Sequence, residues 1–222
     1  YNIWMVSDEA YRQLYYGDGC SSSIWRITDD DVPGIMGSRI SIESSSKVWN
    51  ACGLRIGGIV TDNQDYHNKA VSEYTANLCA NVIGQEIFGA LAHESHYDLE
   101  KWYQTQRDYY CELMLPLREN LLNLIPGLIV TNPEAAIYFI IDFKNICNNS
   151  FNAKDFVQFC ALKGKVNIEG KDYTLLLAPM AGFYTDPDKG KTQMRVAMVE
   201  PMYLIEKMPQ LLSELYNSYL QL

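Results

Sequence analysis

The sequence predicts an α/β chain that passes into an α+β region, and two observations carry that reading. The first part alternates short apolar strands, which end in polar or charged residues, with long stretches of helical periodicity; the second interleaves further strands with shorter helices. Reactive side chains also cluster at strand ends and in adjoining loops, where an open α/β sheet holds its ligands.

The segment Ile3-Trp4-Met5-Val6-Ser7-Asp8-Glu9-Ala10-Tyr11 reads as a strand ending at Asp8, with Tyr11 three residues on. Residues 17 to 37 are rich in Ser, Asp and Gly and are expected to form a loop with at most a short hairpin or helix. A strand over 39–43 leads into Lys47, and another over 55–61 leaves Arg55. Helical spacing predicts a packed helix over 69–91 and a longer one over 97–124, ended by Pro126-Gly127. The aromatic face of the longer helix, with Trp102, Tyr103, Tyr109 and Tyr110, is expected in the core. Strands follow near 128–131 and 137–143, then a helix near 153–162, two further strands and a terminal helix from about Tyr203. The polar stretches 145–152 and 163–172 read as loops or insertions.

The most informative segment is Ser44-Ser45-Ser46-Lys47 followed by Gly53-Leu54-Arg55-Ile56-Gly57. It gathers an amine, hydroxyls and a guanidinium. A lysine forms a Schiff base with an aldehyde, while Ser44, Ser46 and Arg55 suit a phosphate dianion through hydroxyl and two-point guanidinium hydrogen bonds. A carboxylate at the end of a strand, Asp8, suits a protonated pyridinium nitrogen. Near the other end, Thr192-Gln193-Met194-Arg195-Val196-Ala197 places an arginine in an apolar strand, and a planar fork is suited to a carboxylate. Taken singly, each of these residues is more often a surface charge or a turn cap. It is their ordered set that carries weight.

That set closely resembles the class I/II aminotransferases of fold type I, which are pyridoxal 5'-phosphate (PLP) enzymes. Asp8 and Tyr11 look like the family's strand-end Asp-x-x-Tyr, Lys47 and Arg55 its lysine signature, and Arg195 its substrate-carboxylate arginine. Pro133-Glu134-Ala135-Ala136-Ile137-Tyr138 is similar to the family's Pro-Glu-Gly-Ala-Phe-Tyr, with alanine in place of glycine. Ser45 replaces a usually apolar residue.

The resemblance implies Lys47 as the catalytic residue, Asp8, Tyr11, Ser44, Ser46, Lys47 and Arg55 around PLP, and Arg195 on the substrate. It implies an aminotransferase working by ping-pong exchange between an α-amino acid, aspartate being one candidate, and a 2-oxo acid. Another fold type I PLP reaction (β-lyase, decarboxylase or synthase) and a non-catalytic fragment are the alternatives.

The resemblance covers nearly all of this chain and about the second half of a family member. The chain lacks an initiating methionine and enters a strand almost at once, as expected of a fragment that lacks the family's N-terminal phosphate loop, ring-stacking aromatic and asparagine, and that is inactive by itself. The implied fold is the C-terminal part of a PLP-dependent transferase large domain, with a mostly parallel sheet, plus an α+β small domain. Its boundaries are 1–96 for the large-domain part, 97–126 for an interdomain helix and 127–222 for the small domain. Family members usually pair as homodimers.

The remaining features fit a cytoplasmic enzyme. The chain has 222 residues, 48% of them hydrophobic, and no apolar run long enough to span a bilayer. A net charge of -9 without a basic cluster argues against a nucleic-acid backbone binder. His67, His93 and His96 show no ligand spacing and are expected at the surface or in packing. The six cysteines form neither a CxxC pair nor a dense framework, so reduced thiols are expected, with Cys52 as a small buried packing residue. Arg26, Arg39 and Arg107 are expected to be structural or surface residues, and Phe183-Tyr184-Thr185 either lines the substrate side or is an ordinary loop.

Overall fold

Three short runs pair into one sheet: β1 (Met5–Asp8), β2 (Arg39–Ser44) and β3 (Gly57–Thr61), in the order β1-β2-β3. The structure is a computed structural model, and it describes residues 3–18 and 21–221. The chain divides into two units, Tyr1–Arg107 and Asp108–Leu222.

In the first unit β1 and β2 are parallel, whereas β2 and β3 are antiparallel. The mostly parallel sheet expected from the sequence is therefore corrected among the described strands to one parallel and one antiparallel pair. The cause lies in the connections. Between β2 and β3 there are only turns and a 3-10 turn at Cys52–Leu54, without the crossover helix that a parallel return requires. The long connection from β1 to β2 passes through a 3-10 turn at Ile24–Arg26, as the Ser- and Asp-rich composition implied.

The helix expected over 69–91 is two helices, α1 (Gln64–Ala76) and α2 (Val82–Gly89). Each starts on an asparagine: the Asn63 side chain accepts from the Tyr66 N–H at 2.8 Å, and that of Asn81 from the Gly84 N–H at 3.2 Å. Leu78, in the left-handed region at φ 69, breaks the run between them. The expected packing is also corrected, since no residue of α1 is buried and Val71 and Tyr74 are more than half exposed.

The long helix α3 (His96–Leu124) is where the sequence placed it. Its aromatic face divides. Tyr110 is buried, Trp102 and Tyr103 pack with Trp49, and Trp102 Nε1 donates to the Val48 carbonyl at 3.1 Å. Tyr109, expected in the core, is exposed.

The second unit is built on an antiparallel sheet. Its first elements are the strands β4 (Ile129–Val130) and β5 (Tyr138–Asp142) and the helix α4 (Ala153–Leu162), all close to their predicted places. The stretch 163–172, expected as a loop, holds most of a hairpin, β6 (Val166–Ile168) with β7 (Lys171–Tyr173). Glu169 at φ 53 and Gly170 at φ 81 give the two left-handed residues that a tight hairpin turn demands. Strands β8 (Ala178–Pro179) and β9 (Gln193–Ala197) complete the main sheet in the order β4-β5-β9-β8, and the chain ends with α5 (Met202–Ile205) and α6 (Met208–Tyr219). Phe143, Phe151, Phe156 and Tyr216 form a cluster of mutually contacting rings in this unit's core.

Arg39, expected to be structural or a surface charge, is 6% exposed and structural. Its Nη2 lies 2.6 Å and its Nε 2.8 Å from Asp62 Oδ2, and its Nη1 donates to the Ile27 carbonyl. Burial by itself would raise the Asp62 pKa, but the Gly37 N–H and the Arg39 guanidinium and N–H more than offset it, and the carboxyl titrates below its ordinary value. A carboxylate whose folded pKa is depressed stabilises the fold above the unfolded value and loses that contribution as pH falls through the folded one. Urea titrations below pH 4 are therefore expected to show stability falling more steeply for the natural protein than for Asp62→Asn, which lacks this titrating group.

Candidate active site

The strand registers determine which predicted residues meet. Asp8 pairs with Ile42 across the parallel β1–β2 ladder, and the Glu9 N–H extends it with a 3.0 Å bond to the Ile42 carbonyl. The carboxyl ends of β1 and β2 therefore lie side by side, with Tyr11 in the turn after β1 and Lys47 in the turn after β2. Because β3 runs the other way and Gly57 pairs with Ser44, Arg55 enters from this same edge. Asp8, Tyr11, Ser44, Ser46, Lys47 and Arg55 thus share one edge of one sheet.

The lysine turn is shaped by its serines. The Ser46 N–H donates to Ser44 Oγ at 3.1 Å, closing a small turn before the lysine. Ser45 is 1% exposed and spans the gap to the arginine segment: its N–H and its hydroxyl both reach the Ile56 carbonyl, at 3.0 and 2.8 Å, and its own carbonyl accepts from the Ala51 N–H. Lys47 is half-buried, and its amine has no hydrogen-bond or ion-pair partner among the described residues. Arg55 does not lie within β3, where the sequence had begun that strand; it occupies the left-handed region at φ 54, exposed, with Nη1 donating to the Cys52 carbonyl.

Two cavities flank this edge. One, of about 870 Å³, is lined by Ser44, Ser46 and Arg55 together with Tyr66, His67 and Tyr74. The other, of about 510 Å³, is lined by Glu9, Arg12, Glu43, Ser44, Trp49 and Tyr103. The hydroxyls and the guanidinium assigned to a phosphate thus line one cavity, whereas Asp8, Tyr11 and Lys47 line neither. Asp8 is exposed and accepts from the Ala10 N–H at 3.1 Å.

Glu9, Arg12 and Glu43 were not singled out from the sequence. Glu9, 5% exposed, holds its carboxylate on the Ile24 N–H at 2.7 Å, the Ser23 hydroxyl at 2.8 Å and Arg12 Nη1 at 2.5 Å. Arg12 Nη1 also lies 3.3 Å from Glu43 Oε1. The available signal was an acidic residue directly after Asp8 with an arginine three residues further on.

In the second unit Arg195 sits in β9 opposite Ile140 of β5. Its guanidinium carbon lies 5.1 Å from the Tyr138 ring centroid and 5.5 Å from that of Phe183. Its Nε is buried without a hydrogen-bond partner, and the guanidinium has no carboxylate partner among the described residues. An unsatisfied buried donor of this kind costs about 1–3 kcal/mol and is relieved by an acceptor. Phe183, 61% exposed, thus faces the Arg195 guanidinium with its ring.

Other expectations resolve simply. His67, His93 and His96 are exposed, and no group of metal ligands occurs among the described residues. Cys52, expected to be buried, is exposed, because the 3-10 turn carries it outward; Cys79, Cys111, Cys147 and Cys160 are free, and Cys20 lies outside the described residues.

The family model for aminotransferase class I and II matches residues 1–179. The chain belongs to this family. Among curated class I and II aminotransferases it is 24% identical over 166 residues to the probable aspartate/prephenate aminotransferase of Aquifex aeolicus, covering 75% of this chain and 40% of that protein. It is 25% identical over 171 residues to the aspartate aminotransferase of Pyrococcus horikoshii, covering 75% and 39%. The α-aminoadipate aminotransferase LysN of Thermus thermophilus, solved with N-(5'-phosphopyridoxyl)-L-leucine, superposes with a TM-score of 0.76 at 17% identity, over 98% of this chain and 51% of that one. The chain thus spans about two fifths of the length of the curated relatives it matches and about half of the solved one. The α/β fold is that of the aminotransferases.

Within that family, the two departures noted in the sequence have local accounts. Ser45 takes a usually apolar position because its hydroxyl is satisfied internally. Ala135 takes the usual glycine position at no conformational cost, since it is Ala136, the next residue, that lies at φ 65. Gly57 has no such latitude. A Cβ there would meet the Glu43 carbonyl oxygen at 2.7 Å, so Gly57→Ala must push β3 off β2 beside Ser44. A loss of about 1–3 kcal/mol is expected, measured by chemical denaturation.

Proposed function

We propose that the protein is a PLP-dependent aminotransferase and that this chain is its lysine-bearing part. The observation that carries the reading is the shared sheet edge, which groups an amine, a carboxylate, a phenol, two hydroxyls and a guanidinium. This donor set fits the cofactor: Lys47 would hold the aldehyde carbon, Asp8 the ring nitrogen, Tyr11 the ring oxygen, and Ser44, Ser46 and Arg55 the phosphate. Bound there, PLP supplies an electron sink that stabilises negative charge at the substrate α-carbon.

The chain's own residues do the rest. Arg195 binds the substrate carboxylate with its two-point fork, and the faces of Tyr138 and Phe183 hold the guanidinium plane. With its Nζ free as an amine, Lys47 would take the substrate α-proton as a general base and hold it for redelivery. The Asp8 carboxylate keeps a proton on the ring nitrogen. The overall reaction exchanges the amino group of an α-amino acid with a 2-oxo acid in two half-reactions. Aspartate is the donor that the names of the curated relatives favour.

The reading divides the chain into a large-domain part (1–96), a linking helix (97–126) and a small domain (127–222), in a cytoplasmic homodimer. No described helix is long and apolar enough to cross a membrane. The test is an absorption spectrum of the purified protein with PLP, followed by product analysis with aspartate and 2-oxoglutarate. A visible cofactor band, with oxo acid and new amino acid formed in equal amounts, supports the proposal. A band accompanied by pyruvate and ammonia, or by carbon dioxide, would move it to a lyase or decarboxylase, and no band would remove the PLP assignment.

A further inference from the structure

We infer that Arg12 is a positioning residue that fixes the turn carrying Asp8 and Tyr11 against the strand that delivers Ser44 and Lys47. The inference rests on the cofactor reading of those residues and adds to it a part that the family resemblance did not supply. Its basis is a three-member charge network across the sheet edge. Glu9 and Arg12 bracket Tyr11 in sequence and form an ion pair, and the turn they close is backed by the Arg12 N–H to the Glu9 carbonyl at 3.1 Å and the Leu14 N–H to the Tyr11 carbonyl at 2.9 Å. The same guanidinium reaches Glu43, the residue immediately before Ser44, at 3.3 Å. Glu43 is in turn held by the Ser41 hydroxyl at 3.1 Å, and Ser41 Oγ accepts from Trp25 Nε1 at 3.1 Å.

Two features separate this network from an ordinary surface ion pair. The Glu9 side chain is only 3% exposed, and Arg12 and Glu43 are 27% and 31% exposed, so the charges are poorly screened. Glu9 is also bound by a backbone N–H and a hydroxyl from the 23–24 segment, which gives the network a third anchor in the loop between the strands. Arg12 is thus a cation shared by two carboxylates, Glu9 in the turn after β1 and Glu43 in β2. Backbone pairing of β1 with β2 ends at the Glu9 N–H, so beyond that point side chains must hold the Asp8–Tyr11 turn in register with the lysine strand. At metal sites, groups that orient the ligating residues change affinity or activity by about 10- to 100-fold, and an effect of that order is expected here.

The experiment uses the purified protein and the variants Arg12→Met, Arg12→Lys and Glu43→Gln. PLP affinity and the pH midpoint of the cofactor's visible band are read by absorption, and amide exchange across residues 9–14 is read by mass spectrometry without PLP. Arg12→Met is expected to weaken PLP binding on the order of tenfold or more, to move the pH midpoint and to speed exchange in the turn. Arg12→Lys, which keeps the charge and loses the fork, should restore part of each. A merely structural role would lower the melting temperature and leave the pH midpoint in place. Wild-type affinity and midpoint in Arg12→Met overturn the inference, provided that the natural protein binds PLP. If the natural protein fails to bind PLP, the cofactor reading itself falls and the inference falls with it, while the exchange data still report whether Arg12 closes the turn.

Discussion

Replacing Lys47 by alanine is expected to abolish turnover, with a loss of at least about 10,000-fold, because one side chain serves both as the covalent anchor and as the proton carrier. The structure places few demands on it otherwise. Its amine has no partner among the described residues, and the turn around it is held by Ser44, Ser45 and Ile56. The variant should therefore fold, with a melting temperature within a few degrees of the natural protein. Borohydride reduction in the presence of PLP should label the peptide containing Lys47 in the natural protein and leave that peptide unlabelled in the variant. A variant that retained steady-state transamination would show that the amine lies elsewhere.

Arg195 should separate binding from folding in the opposite sense. Arg195→Leu removes a charge-assisted fork from a carboxylate substrate, a loss of about 2–5 kcal/mol, which corresponds to a fall in kcat/KM of roughly 30- to 5,000-fold. Arg195→Lys should recover little, because the site is both stacked and two-pronged. The substitution to leucine should cost little stability and even raise it, since it removes a buried donor that has no partner in the free fold and leaves an apolar chain between Tyr138 and Phe183. An amine substrate lacking the carboxylate should react equally with both proteins. Equal loss on both substrates would place Arg195 in the scaffold instead.

Much of this was legible in the sequence, for physical reasons. Strand β2, helix α4 and the part of α3 from Tyr110 on, where that helix's buried residues lie, have apolar spacing that matches their burial, so their positions follow from it. The reactive residues were visible because their types are dictated by chemistry and their spacing by strand and turn lengths. What was hidden depended on partners distant in sequence. The direction of β3 is decided by how the chain returns after Lys47, which periodicity does not report. The break at Leu78 lies in a run whose apolar spacing continues through it, and Cys52 looked buried by type while its turn carries it outward. The Glu9–Arg12–Glu43 network joins the turn after β1 to β2, and no local pattern marks Glu43 as the partner of Arg12. Similarly, the Glu169-Gly170 hairpin was overlooked because glutamate is an uncommon residue for a left-handed turn position.

The mixed direction of the first sheet also bears on how it is built. Strands β2 and β3 are joined by a short connection, so closing the loop that contains Lys47 and Arg55 costs little chain entropy and should occur early in folding. Strand β1 must find β2 across the long intervening segment, which makes its docking the slower event. Loop closure thus favours bringing the amine and guanidinium together before the carboxylate of Asp8 joins them, so the anchor for the cofactor is expected to form ahead of the group that tunes its ring.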